Sequence, residues 1–124
     1  MKVILDTNAL IRFFTDDIPE KADLVELLLK KQKRLFVPDV VFPELEYVFS
    51  SRYSFRREKI IEIYSFLSSK NNIHITKQAR IAIVMYEQTA FDMADCIIAA
   101  YSLKGYLASF DKKLLQIEGV KGYF

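Results

Sequence analysis

One cysteine, one histidine, three glycines, three prolines and no tryptophan occur in this chain of 124 residues. A single cysteine excludes an internal disulfide and fits a reducing compartment such as the cytoplasm. So little glycine and proline excludes collagen-like, linker-like or low-complexity architecture. With a single His, a single Cys and no nucleophile-elbow motif, the chain gives no sign of a protein nucleophile. No apolar run is long enough to span a membrane, and the opening stretch Val3–Leu5 is too short for a secretory signal. Neither sign of charge dominates, with a net charge of only +2.

What is present suits one folded domain over residues 1–124. Hydrophobic residues make up 52% of the chain, enough for a sizeable core. Lys2–Asp6 reads as a buried strand and Ala9–Phe14 as a short helix. Asp16, Asp17 and Pro19 mark the start of a second helix, with Ala22, Val25, Leu28 and Leu29 on one face. That helix runs out into Lys30, Lys31, Lys33 and Arg34, which suit the negative end of its dipole. Leu35–Val37 is a strand, and a helix from Pro38-Asp39 carries Glu44, Leu45, Val48 and Phe49. Phe55–Ser69 is amphipathic, with Ile60, Ile63, Tyr64 and Leu67 at helical spacing. Ile73–Ile75 is a strand, and Thr76 can cap a helix showing Ala79, Ala82, Ile83, Tyr86 and Ala90 on one side. Ala94–Leu103 is apolar nearly all round, which implies burial, and Gly105 stops it. Tyr106–Ser109 and Val120–Phe124 read as closing strands, with a helical turn at Asp111–Leu115. Strands alternating with helices imply an α/β fold with a mostly parallel sheet flanked by helices.

The acids sit where that fold keeps its ligands, at the carboxyl ends of strands. Asp6 follows the first strand and leads into Thr7-Asn8. Glu44, Asp95 and Asp111 occupy similar junctions. Each has a plainer use: Asp6 and Asp111 as helix N-caps, Glu44 as a solvated acid in competition with Glu46, and Asp92 or Asp95 as the cap of the helix they open. Gathered in one cleft, carboxylates about 4 Å apart repel by roughly 4 kcal/mol per pair at an effective dielectric of about 20. A hard dication such as Mg2+ or Mn2+ removes that penalty and takes oxygen ligands. It also lowers the pKa of water and neutralises a leaving phosphate oxygen. With four carboxylates set against an ion, 18 basic residues facing 16 acidic ones leave the rest of the body at +6, suited to a polyanionic substrate.

The motifs Leu5-Asp6-Thr7-Asn8, Glu44-Leu45 with Tyr47-Val48, Asp92-Met93-Ala94-Asp95 before Ile97-Ile98-Ala99-Ala100, and Ser109-Phe110-Asp111 together resemble the PIN domain. The chain is most similar to the short VapC-type toxins of type II toxin–antitoxin systems, along essentially its whole length. The resemblance implies a three-layer α/β fold with a five-stranded parallel sheet, and a Mg2+- or Mn2+-dependent endoribonuclease. It implies Asp6, Glu44, Asp95 and Asp111 as catalytic metal ligands, and Asn8, Asp92 and Ser109 as supporting groups. It also implies a homodimer neutralised by a cognate antitoxin. Here Pro43 directly precedes Glu44, and Cys96 stands where alanine is usual.

Other readings compete. A non-catalytic RNA- or protein-binding module on the same fold would not need mutually repelling acids. A phosphatase with Asp6 as nucleophile would carry a second Asp two positions on, where this chain has Asn8. A receiver-like phosphoacceptor would place an acceptor Asp on a middle strand, yet Ile73–Ile75 ends in Thr76. A basic cluster, Arg52, Arg56, Arg57 and Lys59, is interleaved with Tyr53 and Phe55. It reads either as an RNA or antitoxin contact or as a solvated helix start whose aromatics enter the core. Phe13, Phe14, Phe42, Tyr47 and Phe49 divide between core and interface in a way that spacing leaves open. His74, flanked by Ile73 and Ile75, and Cys96 read as structural.

Overall fold

In the computed structural model, which describes residues 1–124, the chain divides into two compact units, Met1–Thr76 and Lys77–Phe124. The first unit is built on a parallel sheet of β1 (Val3–Ile4), β2 (Leu35–Phe36) and β3 (Ile73–His74), in that order. Val3 pairs with Leu35, and Leu35 pairs with Ile73. Bonds beyond the paired residues extend the ladder, with Leu5 N–H donating to the Phe36 carbonyl at 2.8 Å and Val37 N–H to the His74 carbonyl at 3.1 Å. Leu5, Leu35, Val37 and Ile73 are buried, whereas Ile4, expected inside, is 52% exposed.

Helices α1 (Thr7–Thr15) and α2 (Pro19–Lys31) connect β1 to β2, and α3 (Val41–Arg52) and α4 (Arg57–Ser69) connect β2 to β3. Two parallel strands require such crossovers, since a hairpin turn reverses direction. Pro19 takes the first position of α2, where its missing N–H costs nothing. Helix α2 starts at Pro19 as expected, but neither Asp16 nor Asp17 caps it; Ile18 holds its N-cap position. Asp16 ends α1 in a left-handed conformation (φ 52°), and Asp17 binds Arg12 and Thr15. The carbonyls of Leu29 and Gln32, at the end of α2, accept hydrogen bonds from the Asn72 amide at 2.7 and 2.8 Å. Helix α4 buries Ile60, Ile63, Tyr64 and Leu67, the stripe that its spacing predicts.

Most of the dense aromatics resolve into core. Phe42 and Phe49 are fully buried. Phe42 packs on Tyr64, whose hydroxyl donates to the Phe42 carbonyl at 2.6 Å. Phe13 and Phe14 pack on Phe66. Ser54 adopts a left-handed conformation (φ 55°), and the turn lets Phe55 N–H donate to the Phe49 carbonyl at 2.9 Å. Phe55 thereby stacks on Phe49, with ring centroids 5.1 Å apart.

The second unit holds α5 (Lys77–Gln88) and α6 (Met93–Ser102), packed against each other, and a 3₁₀ turn at Leu114–Gln116. Helix α5 buries Ala79, Ala82, Ile83 and Tyr86; Ala90 lies past its end and is exposed. Helix α6 is not buried all round. Met93, Cys96, Ala99 and Ala100 are inside, while Ile98 is 46% and Tyr101 55% exposed. Ala99, Leu107 and Leu114 form a small core with Ile117 and Val120 against it. Gly119, at φ 88°, turns the chain where a Cβ would lie 3.1 Å from Leu103.

The two expected closing strands shrink to one parallel bridge, Leu107 with Gly122, so the sheet has three strands and not five. Beyond the first of them, side chains bind the local backbone. Ser109 Oγ accepts from Asp111 N–H at 3.0 Å, and Asp111 Oδ1 accepts from Lys113 and Leu114 N–H at 3.0 and 3.1 Å. These local bonds shape the turn at Asp111–Leu115.

Asp92 caps α6, its Oδ1 accepting from Asp95 N–H at 2.8 Å. Asp92→Ala is expected to cost about 1 kcal/mol and Asp92→Asn only a few tenths, measured by urea denaturation. Equal stability of the two variants would show that the cap bond contributes nothing. No helix is long and apolar enough to cross a membrane.

Candidate active site

In the first unit the site starts where β1 runs into α1. Asp6 occupies the N-cap position of α1 with extended backbone (φ −85°, ψ 158°), yet its side chain makes no cap hydrogen bond. The carboxylate is exposed and not spent on the helix. Helix α3 delivers Glu44 in its first turn. Pro43 precedes it where no donor is needed, and Glu44 N–H reaches the Val40 carbonyl at 3.4 Å. Thr7, 8% exposed, donates its hydroxyl to Glu44 Oε1. Asp6, Asn8 and Glu44 border one cleft of about 610 Å³. Glu46, the competing acid, does not border it. Thr7 follows Asp6 in the chain, yet its hydroxyl steadies the acid of another helix.

The far end of the cleft is closed by a polar clasp. Asp17 accepts from Arg12 at 2.8 Å, from Tyr53 at 3.0 Å and, through its other oxygen, from Thr15 at 3.0 Å. Partial removal from water would raise the Asp17 carboxyl, but the bonds from Tyr53, Thr15 and Arg12, with the Arg12 charge, hold it below the usual carboxylate range. Arg52 also borders the cleft. Arg56, exposed at the start of α4, and Arg57 beside it do not, so the basic cluster is divided. Its aromatics follow the structural reading, Phe55 against Phe49 and Tyr53 in the clasp.

The second unit carries the other acids. Removal from water raises the Asp95 carboxyl pKa, and the charges of Asp92 and Asp111 push it further up. Asp92 spends Oδ1 on the α6 cap, and Asp111 spends Oδ1 on two backbone donors, with Ser109 fixing the turn before it. No three His, Cys, Asp or Glu side chains form a group arranged to hold a metal ion. His74 is exposed at the end of β3 and does not border the cleft of Asp6 and Glu44, and Cys96 is buried in α6.

The sequence model of the PIN domain matches residues 3–120. The chain belongs to the PIN domain family. The match runs through both units and includes every acid discussed above. This PIN domain is also 30% identical over 100 residues to a VapC ribonuclease of Aquifex aeolicus (strain VF5), an alignment covering 76% of this chain and 73% of that one. No solved structure matches it.

Proposed function

We propose that this PIN domain is a divalent-metal-dependent endoribonuclease and the toxin of a toxin–antitoxin pair. The observation that carries the reading is an acid pair in one cleft: Asp6, with no cap bond to make, and Glu44, held by Thr7. The similarity to a VapC ribonuclease supports the choice of RNA as substrate. Both units are read as one PIN domain.

Asp6, Glu44, Asp95 and Asp111 are the proposed ligands of Mg2+ or Mn2+, with Asn8, Asp92 and Ser109 in support. The donors fit such an ion, because every one is a hard carboxylate oxygen. The raised Asp95 carboxyl fits as well, since a nearby cation offsets the Asp92 and Asp111 charges that push it up. A bound dication supplies Lewis acidity toward the phosphodiester and a lowered pKa for water. The chain itself supplies position. Thr7 fixes the Glu44 carboxylate, Ser109 sets the turn that presents Asp111, and Asp92 anchors the backbone that carries Asp95. The reaction is phosphodiester hydrolysis with water as the attacking group and no covalent enzyme intermediate. The proposed partners are RNA, a cognate antitoxin and a second copy of this chain.

Purified protein incubated with single-stranded RNA should cut internally in Mg2+ or Mn2+, stop in excess chelator, and resume when the ion is restored. Cleavage that persists in excess chelator would overturn the metal dependence. Trapping of a phospho-aspartate at Asp6 would favour a phosphotransferase instead.

A further inference from the structure

Along α3, Glu44, Tyr47, Val48 and Arg52 recur at intervals of three, four and eight residues from the first, so they share one side of the helix. All four border the cleft of about 610 Å³, a volume in the range that holds small organic groups. Tyr47 is out of character for this helix. It is 69% exposed, while Phe42 and Phe49 on the same helix are fully buried. Its ring belongs to none of the aromatic pairs that build the core of this unit. It also lies one turn from the acid pair, about 4.5 Å along the helix axis from Glu44.

The cleft has two cations with different duties. Arg12 is committed to Asp17, and its Nε is sealed from solvent without a partner. Arg52 is exposed, makes no ion pair, and lies about 12 Å along the axis from Glu44. The cleft thus presents acids at one end, an open aromatic face next, and an unpaired guanidinium beyond. Ile11, Pro43 and Val48 also line the cleft, but an apolar protein helix lying there would leave the acids and the Arg52 charge facing it without partners. A single nucleic-acid strand calls for this order, because each nucleotide offers a flat base and an anionic phosphate.

We infer that this cleft is the subsite for the nucleotide next to the scissile phosphodiester, with Tyr47 stacking on its base and Arg52 pairing with a backbone phosphate. The inference rests on the ribonuclease reading above and adds where on the chain the RNA lies. It commits to single-stranded RNA, since a base held in a helix keeps both faces stacked and cannot lie on Tyr47.

The test uses a fluorescein-labelled single-stranded oligoribonucleotide of mixed sequence. Binding is read by anisotropy at several salt concentrations, on the Asp6→Asn background so that the probe stays intact. Tyr47→Ala should weaken binding about tenfold, and Tyr47→Phe should hold it near the parent value, because the ring does the stacking. Arg52→Ala should reduce the slope of log Kd against log salt by about 0.7, the share of one phosphate contact on a single strand, and Arg52→Lys should keep it. Tyr47 and Arg52 are both exposed, so thermal melting of the variants should match the parent. Parent-like affinity in Tyr47→Ala with a parent-like slope in Arg52→Ala, while the wild-type chain still cuts the same RNA, would overturn the subsite alone and leave the groove to a protein segment. A wild-type chain that neither binds nor cuts the probe would overturn the ribonuclease reading and the subsite with it.

Discussion

Asp6→Asn is expected to lose RNA cleavage by about a hundredfold or more, while the protein folds and melts as the parent does. Three features of Asp6 make this a clean substitution. The residue is exposed, so its amide meets no packing conflict. It holds the N-cap position, where Asn is accepted as well as Asp. Its carboxylate makes no bond to α1, so no structural hydrogen bond is lost. What disappears is one anionic oxygen donor at the mouth of the cleft. Each tenfold in rate corresponds to about 1.36 kcal/mol, so the loss of one ligand worth several kcal/mol reaches the stated size. The check is cleavage of a labelled RNA in Mg2+ beside a thermal melt. In cells, expression of the wild-type chain should arrest growth and expression of Asp6→Asn should not. Full cleavage by the variant would remove Asp6 from the site.

The largest effect on stability is expected at Phe49. Its ring is fully buried and stands at the centre of a cluster. It meets Phe14 edge-on at 6.2 Å, Tyr53 at 6.3 Å, and Phe55 in a stack at 5.1 Å. These contacts tie α1, α3 and the turn before α4 together. Phe49→Ala should cost about 3–5 kcal/mol, the range for emptying a buried aromatic site. The lost ring pairs place it toward the upper end, at roughly 0.5–1.5 kcal/mol each. A domain holds only about 5–15 kcal/mol in all, so this variant approaches the threshold for unfolding. Phe49→Leu should recover part of the loss by filling part of the volume. Urea denaturation gives the answer from the shift in midpoint. A shift equivalent to less than about 1 kcal/mol would show that the cluster relaxes around the gap. Tyr53 lies in both the cluster and the Asp17 clasp, so the substitution should also loosen the cleft.

The two variants separate chemistry from architecture. Asp6→Asn should change rate without stability, and Phe49→Ala should change stability first and rate only through the population that stays folded. A variant in which both fell together at the Asp6 position would mean that the carboxylate holds the structure, contrary to its unbonded N-cap geometry.

Much of this protein is legible in its sequence, and the reason is local. Helix periodicity is a property of neighbouring residues, so the stripes Ile60, Ile63, Tyr64, Leu67 and Ala79, Ala82, Ile83, Tyr86 could be read directly and are buried as expected. The parallel arrangement follows from helices between strands, and the motifs around Asp6, Glu44, Asp95 and Asp111 point to the PIN family that the whole-chain match bears out. Tertiary structure alone decided how each polar oxygen and each ring is used. It left Asp6 without a cap bond, spent one oxygen of Asp92 on α6, and turned Thr7 toward Glu44 on a different helix. It also buried Phe49 while opening Tyr47, put Arg52 at the cleft and kept Arg56 away from it. It also reduced the two closing strands to a single bridge, Leu107 with Gly122. Such choices depend on partners distant in the chain or on competition between bonds of similar strength, and a local pattern carries no record of either.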